Sequence, residues 1–63
     1  MKIYRIGDRV RHILTDQKMT IASKPLWIND PIFQYCYICV VSIEGTGISY
    51  KALEEERDLK GGN

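Results

Sequence analysis

Two cysteines, one histidine, a run of three glutamates and a row of arginines are the residues here with the chemistry for a site. Cys36-Tyr37-Ile38-Cys39 has the C-x-x-C spacing that binds zinc or runs dithiol exchange where the chain curls, in a knuckle or at a helix start. In an extended chain, residues three apart point to opposite faces, so these sulfurs cannot converge on one metal or one disulfide. A zinc site also needs further ligands, and His12 is the one imidazole in the chain. The pair is therefore expected to be two buried structural thiols, with no metal and no cofactor. His12 has no nucleophilic Ser or Cys at a recognisable spacing and no paired carboxylate, so its expected state is half-buried and hydrogen-bonded rather than catalytic. Glu54-Glu55-Glu56 is too closely spaced to put an acid/base pair on one helical face. Gly45-Thr46-Gly47 reads as a hairpin turn, not a phosphate loop. No catalytic residue and no small-molecule substrate are expected.

Two other groups have the composition of binding surfaces. Arg9 and Arg11 project from one face of an extended segment, and Arg5 and Lys2 extend the row. With Tyr4, Tyr35, Tyr37 and Tyr50 as stacking groups, that row would suit an anionic ligand such as nucleic acid. The second group is apolar. Leu26-Trp27-Ile28 stands between the two prolines of the chain, and a Trp side chain buries roughly 150–250 Å² when covered. With Phe33 and Tyr35 after it, this group suits protein contact. Leu26, Trp27, Phe33 and Tyr35 are the candidate partner-binding residues, and Arg5, Arg9 and Arg11 the candidates for the alternative anionic ligand.

The elements that must position these residues follow from pattern. Gly7-Asp8 is a turn signal. Beyond it Val10, His12 and Leu14 share one face of a strand, with Val10 and Leu14 expected in the core. Thr15 to Lys18 is a tight polar connection, and Met19 to Ser23 resumes the period of two, which makes a hairpin. Lys24 to Pro31 reads as a loop, because it holds both prolines and an Asn-Asp-Pro breaker. Ile32 to Ile43 is the strongest strand signal, with Phe33, Tyr35, Tyr37, Cys39, Val41 and Ile43 on one face and a largely apolar second face. The eleven residues 33–43 alone reach about 36 Å at ~3.3 Å each, so this strand must bend or be shared. Glu44 to Gly47 is a turn, Ile48 to Tyr50 a short returning strand, and Lys51 to Leu59 a short helix or helical turn anchored by Leu53. Residues 61–63 are expected to fray.

Composition agrees with strands. Ile and Val number twelve against six for Ala and Leu, and β-branched side chains favour a pleated surface. Leu, Ile, Val and Phe make up 17 of 63 residues, enough to fold but leaving a small core that a partner would help. No apolar run is long enough for a membrane helix, and the start of the chain lacks the pattern of a signal peptide, so a cytosolic location is expected. The net charge of +1 conceals a division: residues 1–24 carry six cations against Asp8 and Asp16, whereas residues 25–63 carry three against six carboxylates. The halves could neutralise each other or present opposite poles.

Tyr4-x-x-Gly7-Asp8-x-Val10, Lys18-Met19-Thr20-Ile21, Ile38-x-Val40 around Cys39, and Leu53 together resemble the YodC-like family of small uncharacterised bacterial proteins, over residues 4–54. Gly7-Asp8-x-Val10 alone begins many SH3-like domains; its spacing to Met19-Thr20-Ile21 is more specific. The chain departs from the family by Asp16-Gln17-Lys18 in place of Gly-Gly-Pro, and by Val41 in place of Trp. The resemblance implies an SH3-like fold, bacterial and cytosolic, and supplies no activity. The expected architecture is an all-β, small SH3-like β-barrel of four to five antiparallel strands with a short C-terminal helical turn, residues 1–60 forming one domain. Its expected function is non-enzymatic binding of a protein partner or of a second copy, dimer included, with nucleic acid as the alternative and no membrane association.

Overall fold

The computed structural model describes residues 3–29 and 33–62, without the side chains of residues 28, 29, 33 and 34. Hydrophobic alternation builds the first hairpin. Strand β1 (Arg9–His12) pairs antiparallel with β2 (Lys18–Ile21), Val10 opposite Met19. Ahead of it Gly7 takes a φ of 96°, and Asp8 closes the turn by accepting the Arg5 N–H at 2.9 Å. Ile21 then bonds both sides of that turn, its carbonyl accepting from Gly7 and its N–H donating to the Asp8 carbonyl.

Strand β3 (Leu26–Asn29) lies where a loop was expected. Pro25 stands just before this strand instead of interrupting it, proline being tolerated at a strand's margin, and Asp30 and Pro31 of the expected breaker lie outside the described residues. The partner of β3 is the start of β4 (Phe33–Ile43), with Trp27 opposite Tyr35. The long strand is shared rather than bent back. Its first residues pair with β3, Cys39 and Val40 with β2, and Cys36 through Ile43 with β5.

Strand β5 (Ile48–Glu55) corrects a second expectation, because residues 51–55 form strand and not helix. Ala, Leu and Glu favour a helix locally, but pairing with β4 overrides that weak preference. Only Glu56–Asp58 form a 3-10 turn, which delivers β6 (Leu59–Gly61) to the outer edge of β1. The end of the chain is tied where fraying was expected: Gly61 lies opposite Val10, and the Gly62 N–H donates to the Arg9 carbonyl at 3.0 Å. Asn63 lies outside the described residues.

The result is a curled antiparallel half-barrel of the SH3-like kind. Its strands run β5-β4-β2-β1-β6 around the curl, β3 is added to the free part of β4, and the described strands number six rather than four to five. The concave face holds the core: Tyr4, Val10, Met19, Ile21, Tyr37, Cys39, Val41 and Leu59. Leu14 is not in it. Strand β1 stops at His12, whose carbonyl accepts the Asp16 N–H, and the turn leaves Leu14 82% exposed. Leu53 is likewise exposed, and Leu59 supplies the C-terminal anchor instead. Among the described residues, no helix is long and apolar enough to cross a membrane.

Candidate functional site

Cys36 and Cys39 are both buried and both free. Cys39 belongs to the concave core opposite Ala52, while Cys36, three residues back, takes the other face opposite Glu55 and Leu26. Burial, and after it the nearby Glu54 carboxylate, push the Cys39 thiol up to about 11. Burial also raises Cys36, with Glu55 adding to it. Both are thus held as thiols at neutral pH, the form that neither attacks nor ligates well. Among the described residues no cluster of three His, Cys, Asp or Glu side chains could hold a metal ion.

His12 is half-buried and hydrogen-bonded, as expected. Its Nδ1 accepts the Leu14 N–H at 3.1 Å, and its Nε2 lies 3.7 Å from Glu54 Oε2 across the mouth of the half-barrel. Glu54 therefore has a place on a strand, on the concave face opposite Tyr37, where a helix was expected. Glu55 turns to the other face and meets Arg57 at 2.6 Å. The arrangement joins β1 to β5.

The apolar candidates gather on the β3–β4 ribbon. Trp27 and Tyr35 are cross-strand neighbours with ring centroids 4.4 Å apart and planes at 66°. Tyr35 packs inward against the core, whereas Trp27 is 52% exposed. Leu26 is exposed too, but as the neighbour of Trp27 along a strand it belongs to the opposite face. Phe33 pairs with Asn29 through its backbone, and its side chain lies outside those described. Their apolar character is legible in the sequence, whereas the strand β3 that carries Leu26 and Trp27 reads there as a loop.

The arginine row is divided. Arg11 is committed: its Nη1 lies 3.3 Å from Asp16 Oδ2, and its Nε donates to the Gly62 carbonyl at 3.3 Å. Lys60 reaches the same carboxylate at 3.4 Å. Desolvation resists ionisation of Asp16, but the Arg11 charge and the bond and charge of Lys60 outweigh it and hold the carboxyl below its ordinary value. Arg5 and Arg9 remain exposed, and among the described residues neither side chain pairs with a carboxylate. Arg9 lines an open cleft with Lys18 and Tyr50, and the carboxylates of Asp16 and Glu44 line it as well, beside Val41 and Ile43. Of the four tyrosines expected to offer stacking faces, Tyr4 and Tyr37 are buried against each other, with centroids 5.6 Å apart. Tyr50 is the exposed one.

Sequence reasoning missed the tip of the β4–β5 hairpin, where Ile43, Ile48 and Tyr50 are exposed, and Leu53 further along β5. Ile48 and Tyr50 read as a short strand from the sequence, while the helical reading of residues 51–59 turns Leu53 inward as an anchor and so hides its exposure. No family model, curated protein or solved structure matches the chain.

Proposed function

We propose that this protein is a small non-enzymatic binding module acting through protein contact, self-association included. The observation that carries this reading is Trp27, half-exposed and yet fixed by strand pairing and by the Tyr35 ring. A large aromatic side chain already held in one position loses little entropy on docking, and such residues dominate interface energies. Tyr35 supports Trp27 from below, Phe33 stands two residues before it, and Leu26 extends the apolar surface around the ribbon. The cytosol, where both thiols stay reduced, is the compartment we assign.

The test is Trp27→Ala, with circular dichroism to check the fold, followed by light scattering and co-purification from the host. Loss of associated protein or of oligomeric mass in the variant supports the reading. A variant that keeps every association at wild-type strength overturns it. A second reading, nucleic-acid binding, is favoured by one observation: Arg9, Lys18 and Tyr50 line the same cleft. It predicts a salt-dependent shift with single-stranded or duplex nucleic acid, weakened by Arg9→Ala. Absence of binding at ~50 mM salt, where phosphate contacts are strong, counts against it.

A further inference from the structure

Strand β5 presents a long open edge. It pairs with β4 in continuous register from Ile48 to Glu55, and among the described residues no strand pairs with its other side. Open edges are ordinarily protected by shortness, proline, bulges or several charges. This one runs eight residues without proline or bulge; its three charges, Lys51, Glu54 and Glu55, are of both signs, and Leu53 among them is 59% exposed.

The alternation along β5 is self-complementary. Lys51, Leu53 and Glu55 lie opposite Val40, Ile38 and Cys36, so all three share the convex face. Directly opposed residues of an antiparallel pair share a face, so a second β5 related by a two-fold axis meets the first in registers centred on a residue. Centred on Leu53, Lys51 of each copy faces Glu55 of the other, and the two Leu53 side chains meet between these ion pairs. On the concave face Ala52 then faces Glu54, so like charges do not oppose. Centring on Lys51 or on Glu54 puts that charge against itself, and centring on Ala52 sets Lys51 against Leu53. We propose that a second copy of this chain docks on the β5 edge in the Leu53-centred register, joining two half-barrels into one continuous sheet. This surface is distinct from the Trp27 ribbon and shares with the function proposed above only that a second copy can be the partner.

Charge reversal tests the register. Lys51→Glu and Glu55→Lys each set like charges opposite one another twice in the dimer, which weakens it by about tenfold or more. Mixing the two variants restores both attractions, because positions 51 and 55 are then both acidic in one chain and both basic in the other. Sedimentation or light scattering over a dilution series should show a wild-type dimer, two weakened single variants, and recovery in the equimolar mixture. Trp27→Ala should leave this dimer unchanged. A wild type still monomeric at about 1 mM, single variants that dimerise like the wild type, failed recovery on mixing, or loss of the dimer in Trp27→Ala each overturns the proposal. A dimer lost in Trp27→Ala and kept in both charge variants would instead place self-association on the ribbon.

Discussion

Tyr37 shows how much one side chain carries in so small a core. Its ring is fully buried against Tyr4, and its hydroxyl accepts the Tyr4 backbone N–H at 3.0 Å, which fixes the chain ahead of β1 to the middle of β4. Tyr37→Phe keeps the ring but leaves that buried N–H without this acceptor, a loss of about 1–3 kcal/mol. Urea unfolding should show a lower midpoint, and an unchanged midpoint would mean that the hydroxyl is dispensable. Cys39 gives a second prediction at this scale. Its ordinary value is 9.0, and burial raises it to about 11 in the fold. The folded state therefore holds this proton more tightly than the unfolded chain does. The resulting stability is complete below about pH 9 and is lost as pH rises towards 11. Burial raises Tyr4 above its ordinary 10.0 as well, with the same sign. Stability should fall between pH 9 and 11, and Cys39→Ala should flatten that fall; equal slopes for variant and wild type would contradict the assignment.

Among the elements, β6 depends on a single glycine. A Cβ on Gly62 would stand 2.7 Å from the Arg9 carbonyl carbon and the Val10 nitrogen, backbone atoms that cannot rotate away, whereas a Cβ on Gly61 meets nothing within 4 Å. Gly62→Ala should push β6 off β1, costing roughly 1–3 kcal/mol as other overpacking substitutions do, while Gly61→Ala is tolerated. Hydrogen exchange at the Gly62 amide checks this, and equal protection in both variants would sink it. That contact joins residues 52 and 53 positions apart and leaves no trace in local pattern, which is why the tail read as frayed. Legibility followed the range of the forces involved. The Val10/Met19 hairpin and the long strand were readable, because a period of two records burial on one face. β3 was not, because prolines mark local backbone limits while the Trp27–Tyr35 pairing is tertiary. Residues 51–55 were misread for the same reason: helix propensity is local, and the β4 register that overrides it is not. The apolar surface at Leu26 and Trp27 was legible from composition, while the open β5 edge became visible only once the strand was known.

At the scale of the molecule, the two oppositely charged halves do not simply neutralise each other. Arg11–Asp16 lies within the first half and Glu55–Arg57 within the second, while the contacts between halves include Asp16–Lys60 and the approach of His12 to Glu54. The half-barrel is held by eight clustered core side chains, while Leu26, Trp27, Ile48, Tyr50 and Leu53 remain exposed along β3 and β5. Sixty-three residues bury too little surface for wide margins of stability, so association that covers these groups would add directly to the free energy of the folded state. For a dimer unfolding to two chains, each tenfold rise in concentration adds about 1.4 kcal/mol per dimer, or roughly 3–5 °C in Tm at this size. Thermal melts across two decades of concentration should therefore shift upward for the wild type, and less for a chain carrying both Trp27→Ala and Lys51→Glu. A Tm independent of concentration in the wild type would mean that the core is sufficient alone and that neither surface associates in solution.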